Sequence, residues 1–219
     1  MISLICDVVI NYSILIAAII GIIRFKSIIR DYYPFIFMIW LGVLNETLSL
    51  IFIFTVGSNT FNSNIFVLLE CLLILYQFYR WNDGGIKKYS ILAMFALGLW
   101  IADNLVRNSI TDNNSLFRAF YSFLVVFFSI DQVNKLIIYE RGPLLKKSMF
   151  VICITFLLYY GFKAFVESYN MFHLGLSKTL LRDLWIILYF VNGIANLLYA
   201  LAVLWIPTKV KFILPYWAE

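Results

Sequence analysis

Long apolar runs separated by short polar segments make up most of the chain, and their lengths predict helices that cross a bilayer. Seven runs stand out, at about residues 2–23, 34–56, 64–80, 89–106, 116–130, 148–167 and 184–206. A helix needs roughly 20 mostly apolar residues to cross a ~30 Å hydrocarbon core. Turn signals divide the runs. Pro34 opens the second, where its missing N–H costs nothing. Asn82-Asp83-Gly84-Gly85, the polar segment 107–115, Gly142-Pro143 and Pro207 break the chain between or after others. The fifth run is expected to continue past Asp131 as an amphipathic extension to Tyr139. The first has no basic region before it and no small-residue cleavage site, so it reads as a retained helix rather than a signal peptide. The predicted fold is an all-α membrane protein, one seven-transmembrane-helix domain over residues 1–206 with a short cytoplasmic tail at 207–219.

The distribution of basic residues sets the direction of this bundle. Of 17 Lys and Arg, 12 fall on one side: Arg24, Lys26, Arg30, Arg80, Lys87, Lys88, Lys135, Arg141, Lys146, Lys147, Lys209 and Lys211. The other side carries Arg107, Arg118, Lys163, Lys178 and Arg182. The positive-inside rule then places the N-terminus outside and the C-terminus in the cytoplasm. A multi-pass plasma-membrane protein is expected, or an inner-membrane one in a bacterium. Tyr216 and Trp217 in the tail suit the headgroup layer.

Polar groups inside the runs are costly, at about 2.5–3.5 kcal/mol for a central charge, and so need a reason. Asp7 and Asn11 share a face of the first helix, Asn45, Glu46 and Ser49 lie on the second, and Glu70 lies on the third. Asp103 and Asn104 end the fourth and Arg118 begins the fifth, while Tyr159, Lys163 and Glu167 repeat every four residues on the sixth. Asn192, Asn196 and Tyr199 run along the seventh. Nearly all sit at mid-membrane or outside it. Gln77, on the face of Glu70, is the main inner exception. A polar cavity open to the exterior follows, with Glu46, Glu70, Asp103, Arg118, Lys163, Asn192 and Asn196 as its lining. Asp7, Asn11, Asn45, Asn104, Tyr159, Glu167 and Tyr199 form its rim. The competing reading makes these groups structural fasteners, such as Glu70 with Arg118 or Asp103 with Lys163. Carboxylates outnumber bases within the spans, and the surplus must be protonated or paired with a cation. Glu46, roughly 15 Å from the outer end of its helix at 1.5 Å per residue, is the deepest.

Composition agrees with this pattern and narrows the chemistry. Hydrophobic residues make up 63% of 219 and charged residues 13%, which excludes a soluble enzyme, a nucleic-acid-binding domain and a disordered chain. The net charge of +5 is explained by the loops rather than by nucleic acid. Cys6, Cys71 and Cys153 are far apart and read as small core residues. The one histidine, His173, builds no metal site alone, and no metal, cofactor or catalytic motif is evident.

The helix number and direction are similar to those of seven-helix receptors and microbial rhodopsins. The seventh run has no lysine for retinal, Asn196-Leu197-Leu198-Tyr199 lacks the receptor proline, and Tyr79-Arg80-Trp81 lacks the receptor acid, so no family is assigned. Leu41-Gly42 before Asn45-Glu46, and Leu97-Gly98 before Asp103-Asn104, give the second and fourth helices a faint mutual likeness.

Function is therefore expected at the cavity. The leading reading is a sensor-like or small-ligand-binding protein. It takes a small polar or cationic ligand from outside and signals through a cytoplasmic or membrane protein partner at its basic inner loops. Alternatives are a small proton- or cation-coupled transporter or ion pathway, and a structural or effector subunit of a membrane complex. The lipid bilayer is the one partner all three share.

Overall fold

The computed structural model describes residues 9–82, 85–140, 142–172 and 178–209. It is all-helical, with 86% of residues in helices and no strand among the described residues. The helices are α1 (Ile14–Arg24), α2 (Tyr33–Val56), α3 (Thr60–Trp81), α4 (Ile86–Ile101), α5 (Ser115–Tyr139), α6 (Ser148–Phe172) and α7 (Lys178–Trp205). Six of them, α2 to α7, are long and apolar enough to cross a membrane.

The sequence explains most boundaries. Pro34 occupies the first turn of α2, and Gly57 ends that helix at φ 81, a left-handed conformation suited to glycine, with its N–H on Ile53 O at 3.1 Å. Helix α5 runs unbroken to Tyr139. Helices α6 and α7 extend beyond the apolar runs that mark them, to Phe172 and back to Lys178. Apolarity is required only in hydrocarbon, so a helix continues past it wherever its backbone remains hydrogen-bonded.

Two distortions were not visible in the sequence. The first apolar segment, Val9–Arg24, is shorter than a full span as described, and residues 2–8 of the predicted run lie outside the described residues. It is interrupted at Tyr12 and Ser13, where the Ser13 hydroxyl donates to Ile10 O at 2.6 Å. A serine bonding back to its own turn bends a helix without glycine or proline. Helix α4 ends in a wider π-helical turn, Ala102–Arg107.

The helices run alternately up and down, and the basic loops meet at one end. There Arg24 donates to Val203 O (2.5 Å), Ile206 O (2.9 Å) and Leu204 O, capping the carboxyl end of α7. Ile29 N–H donates to Pro207 O (3.1 Å) and Lys209 N–H to Ser27 O (2.7 Å), which ties the α1–α2 connection to the segment after α7. Gln77 bridges Asp31 O (2.6 Å) and Phe35 N–H (2.8 Å) and so anchors the start of α2. Between the ends lies an aromatic core that includes Phe35, Phe78 and Phe156. The outer surface is the reverse of a soluble protein's, with Phe54, Met94 and Val106 each more than 70% exposed. Lipid tails are as apolar as leucine, so close packing and polar ties hold such a bundle together.

Candidate functional site

A cavity of about 80 Å³ lies between α1, α2, α3, α6 and α7, on the side of the aromatic core away from the basic loops. Asn11 and Ile14 reach it from the first helical segment, and Met38, Gly42 and Glu46 from α2. Phe66 and Glu70 come from α3, Tyr159 from α6, and Asn192, Asn196 and Tyr199 from α7. Gly42 lets α1 pack closely: a Cβ there would stand 2.6 Å from Ile14 Cδ1, so the end of that side chain would have to turn aside. The break at Ser13 also matters, because its hydroxyl, while donating to Ile10 O, accepts a hydrogen bond from Asn196 at 3.0 Å. Asn192 leans toward Asn11 at 3.4 Å. Toward the basic end the cavity is closed by Phe35 and Phe156, whose rings meet the Tyr199 ring edge-on at 5.5 and 6.0 Å.

The two carboxylates of the cavity are held differently. Glu70 accepts a hydrogen bond from Tyr121 Oη at 2.8 Å, and Lys163 Nζ donates to the same Tyr121 oxygen. The ammonium lies 3.9 Å from Glu70 Oε2 and within 6 Å of the ring centres of Tyr121, Tyr159 and Tyr160. A buried cation in a tyrosine cage, bridged by a phenol to a carboxylate, is a compensated pair. Glu46 stands in no ion pair among the described residues. The cavity wall thus carries one carboxylate with its cation and one without. Amide, phenol and carboxylate oxygens form a hard donor set, which suits protons and hard cations.

Other predicted site residues lie elsewhere. Asp103 is buried at the end of α4, where Oδ2 accepts from Phe117 N–H (2.9 Å) and Oδ1 from Asn108 (3.2 Å), so it caps the start of α5. Asn104 accepts from Asn114 at 2.9 Å. Arg118 donates to Ser63 Oγ (2.9 Å) and Asn64 Oδ1 (2.8 Å), and Asn64 holds Ile110 O and Asp112 O at 2.8 Å. Asn45 meets Asn62 at 2.9 Å. These groups clasp the turns at the end opposite the basic loops, and neither Glu70–Arg118 nor Asp103–Lys163 forms. An Asn–Asn clasp thus closes both the α2–α3 and the α4–α5 hairpin. Lys163 stands behind Glu70 rather than in the lining. Glu167 is fully buried, neither oxygen has a hydrogen-bond partner among the described residues, and it does not line the cavity. Asp7, Cys6 and His173 lie outside the described residues.

Sequence reasoning missed Tyr121, the link between Glu70 and Lys163. Its signal was available, since Arg118, Tyr121 and Ser122 share one face of α5 at helical spacing. The fold and this enclosed polar site together define a polytopic helical bundle of membrane-spanning type. No protein-family model, curated protein or solved structure matches the chain.

Proposed function

We propose that this chain is a membrane-embedded binding protein of the sensor type. Its basic end faces the cytoplasm, its N-terminus lies outside, and its first segment completes a seven-helix bundle. The ligand is a proton or a small hard cation entering from outside. Organic ligand sites usually run to about 300–1,000 Å³, whereas 80 Å³ admits a few waters or one ion. The observation that carries this reading is the carboxylate imbalance, with Glu70 paired to Lys163 and Glu46 left without a cation. The bent Ser13 turn beside Asn196 supports it, because helix discontinuities place polar backbone and side-chain groups at ion sites. Occupancy would draw α1, α2 and α7 together around the ion, and a partner protein at the basic loops would read that shift.

The test is thermal unfolding of the detergent-solubilised chain in sodium, potassium or choline chloride across a pH series. A bound ion at 100-fold over its Kd stabilises by about 2.7 kcal/mol. Wild type is expected to gain stability from a small cation or from protons relative to choline, and Glu46→Gln to fold yet lose that gain. If Glu46→Gln responds like wild type while Glu70→Gln does not, Glu46 is a spectator.

The run of ionisable groups from Glu46 through Glu70 and Lys163 to Glu167 favours a second reading, a cation- or proton-coupled transporter. The aromatic floor of Phe35, Phe156 and Tyr199 argues against a continuous path. In reconstituted liposomes the sensor reading expects no flux of protons, sodium or potassium above that of empty vesicles. Flux abolished by Glu46→Gln would establish transport instead.

A further inference from the structure

Helices α4 and α5 stay apart along most of their length, bridged by Phe95 on Phe120 (5.4 Å) and Tyr89 on Phe128 (5.7 Å). Along α5, with Lys88 of α4 at its basic end, runs an open groove of about 590 Å³, far larger than the polar cavity and on a different face of the bundle. Its walls are Phe120, Phe123, Leu124, Phe127 and Phe128, with Lys88, Asp131 and Lys135 at the basic end only. We infer that this groove binds one anionic phospholipid from the leaflet on the basic side, with its acyl chain along α5 and its phosphate at Lys88.

Three observations select this occupant. The first is length. The apolar wall from Phe120 to Phe128 follows α5 for roughly 12 Å at 1.5 Å per residue, which fits within one leaflet, about half of a ~30 Å core. A crossing protein helix would need apolar wall through both leaflets, and here the wall ends in lysines. The second is charge. Lys135 is occupied, donating to Asp131 (2.6 Å) and Asn82 (2.9 Å). Lys88 makes no ion pair among the described residues, and its ammonium is held 5.4 Å from the Phe128 ring centre at the mouth. An ammonium poised over apolar wall at the membrane surface is a phosphate partner. The third is the space for a headgroup. A recess of about 640 Å³ shares Lys88 and Lys135 with the groove and is also lined by Trp81, Tyr139 and Glu140, whose carboxylate is paired with Lys147.

The test is lipid retention by the full-length chain, purified from mixed vesicles of dioleoylphosphatidylglycerol and dioleoylphosphatidylcholine and weighed by native mass spectrometry. One phosphatidylglycerol per chain is expected to be retained well above phosphatidylcholine. Lys88→Gln should lower that retention about fivefold, while Lys87→Gln, exposed and outside the groove, should leave it within about twofold. Equal retention of the two lipids, equal effects of the two substitutions, or a second protein chain bound in place of lipid would each overturn the assignment.

Discussion

Replacing Lys163 with methionine will destabilise the bundle by about 3–5 kcal/mol, the cost of leaving one partner of a buried ion pair alone. Lys163 and Glu70 are 6% and 7% exposed, so water cannot solvate the orphaned carboxylate. The loss reaches beyond the pair, because Lys163 on α6 meets Glu70 on α3 through Tyr121 on α5. Methionine keeps the length of the side chain, so the change tests charge rather than a void. Adding Glu70→Gln to Lys163→Met removes the stranded charge and should restore most of the loss. The two substitutions will therefore be non-additive by well over the few tenths of a kcal/mol typical of distant sites. Unfolding in mixed micelles, followed by tryptophan fluorescence, reads all four members of the cycle. A single-variant loss below about 1 kcal/mol would reduce the pair to the value of an exposed one.

That triad also marks how far the sequence could be read. Helix type and approximate span were legible because a bilayer imposes one length and one backbone pattern on any crossing segment. The contrast between basic and apolar segments was legible for the same reason, and the structure gathers Arg24, Arg80 and Lys209 at one end. That polar groups meet in the interior was also legible, and Glu46, Glu70, Asn192 and Asn196 do line one cavity with Asn11, Tyr159 and Tyr199. Partner choice was not legible. Helical spacing states which face a residue occupies, but not which neighbouring helix that face meets. Arg118 lies in the first turn of α5, where the Ser63 hydroxyl and the Asn64 amide oxygen accept from its guanidinium. Asp103 was drawn from the cavity by a similar local demand, the unpaired N–H groups at the start of α5. The Ser13 break had no signature, since a serine within an apolar helix is usually compatible with a straight one.

The opposite sign is expected one helical turn from Lys163. Glu167 is 0% exposed and neither carboxylate oxygen has a hydrogen-bond partner among the described residues. Lys163 on its own helix is paired with Glu70 on α3, and Arg118 Nη2 on α5 donates to Ser63 and Asn64. Two polar oxygens in the interior without a donor cost about 1–3 kcal/mol even before any charge is counted. Glu167→Leu will therefore raise stability by about 1–3 kcal/mol in the same mixed-micelle assay, and Glu167→Gln, which retains polar atoms, will raise it less. A buried carboxylate without a donor makes Glu167 a candidate ion ligand, because packing alone would favour leucine there. If Glu167→Leu instead lowers stability, and more in sodium than in choline, Glu167 itself holds a cation. The carboxylate imbalance assigned to Glu46 would then belong to α6. If stability rises equally in both salts, Glu167 takes no part in ion binding and the imbalance stays at Glu46.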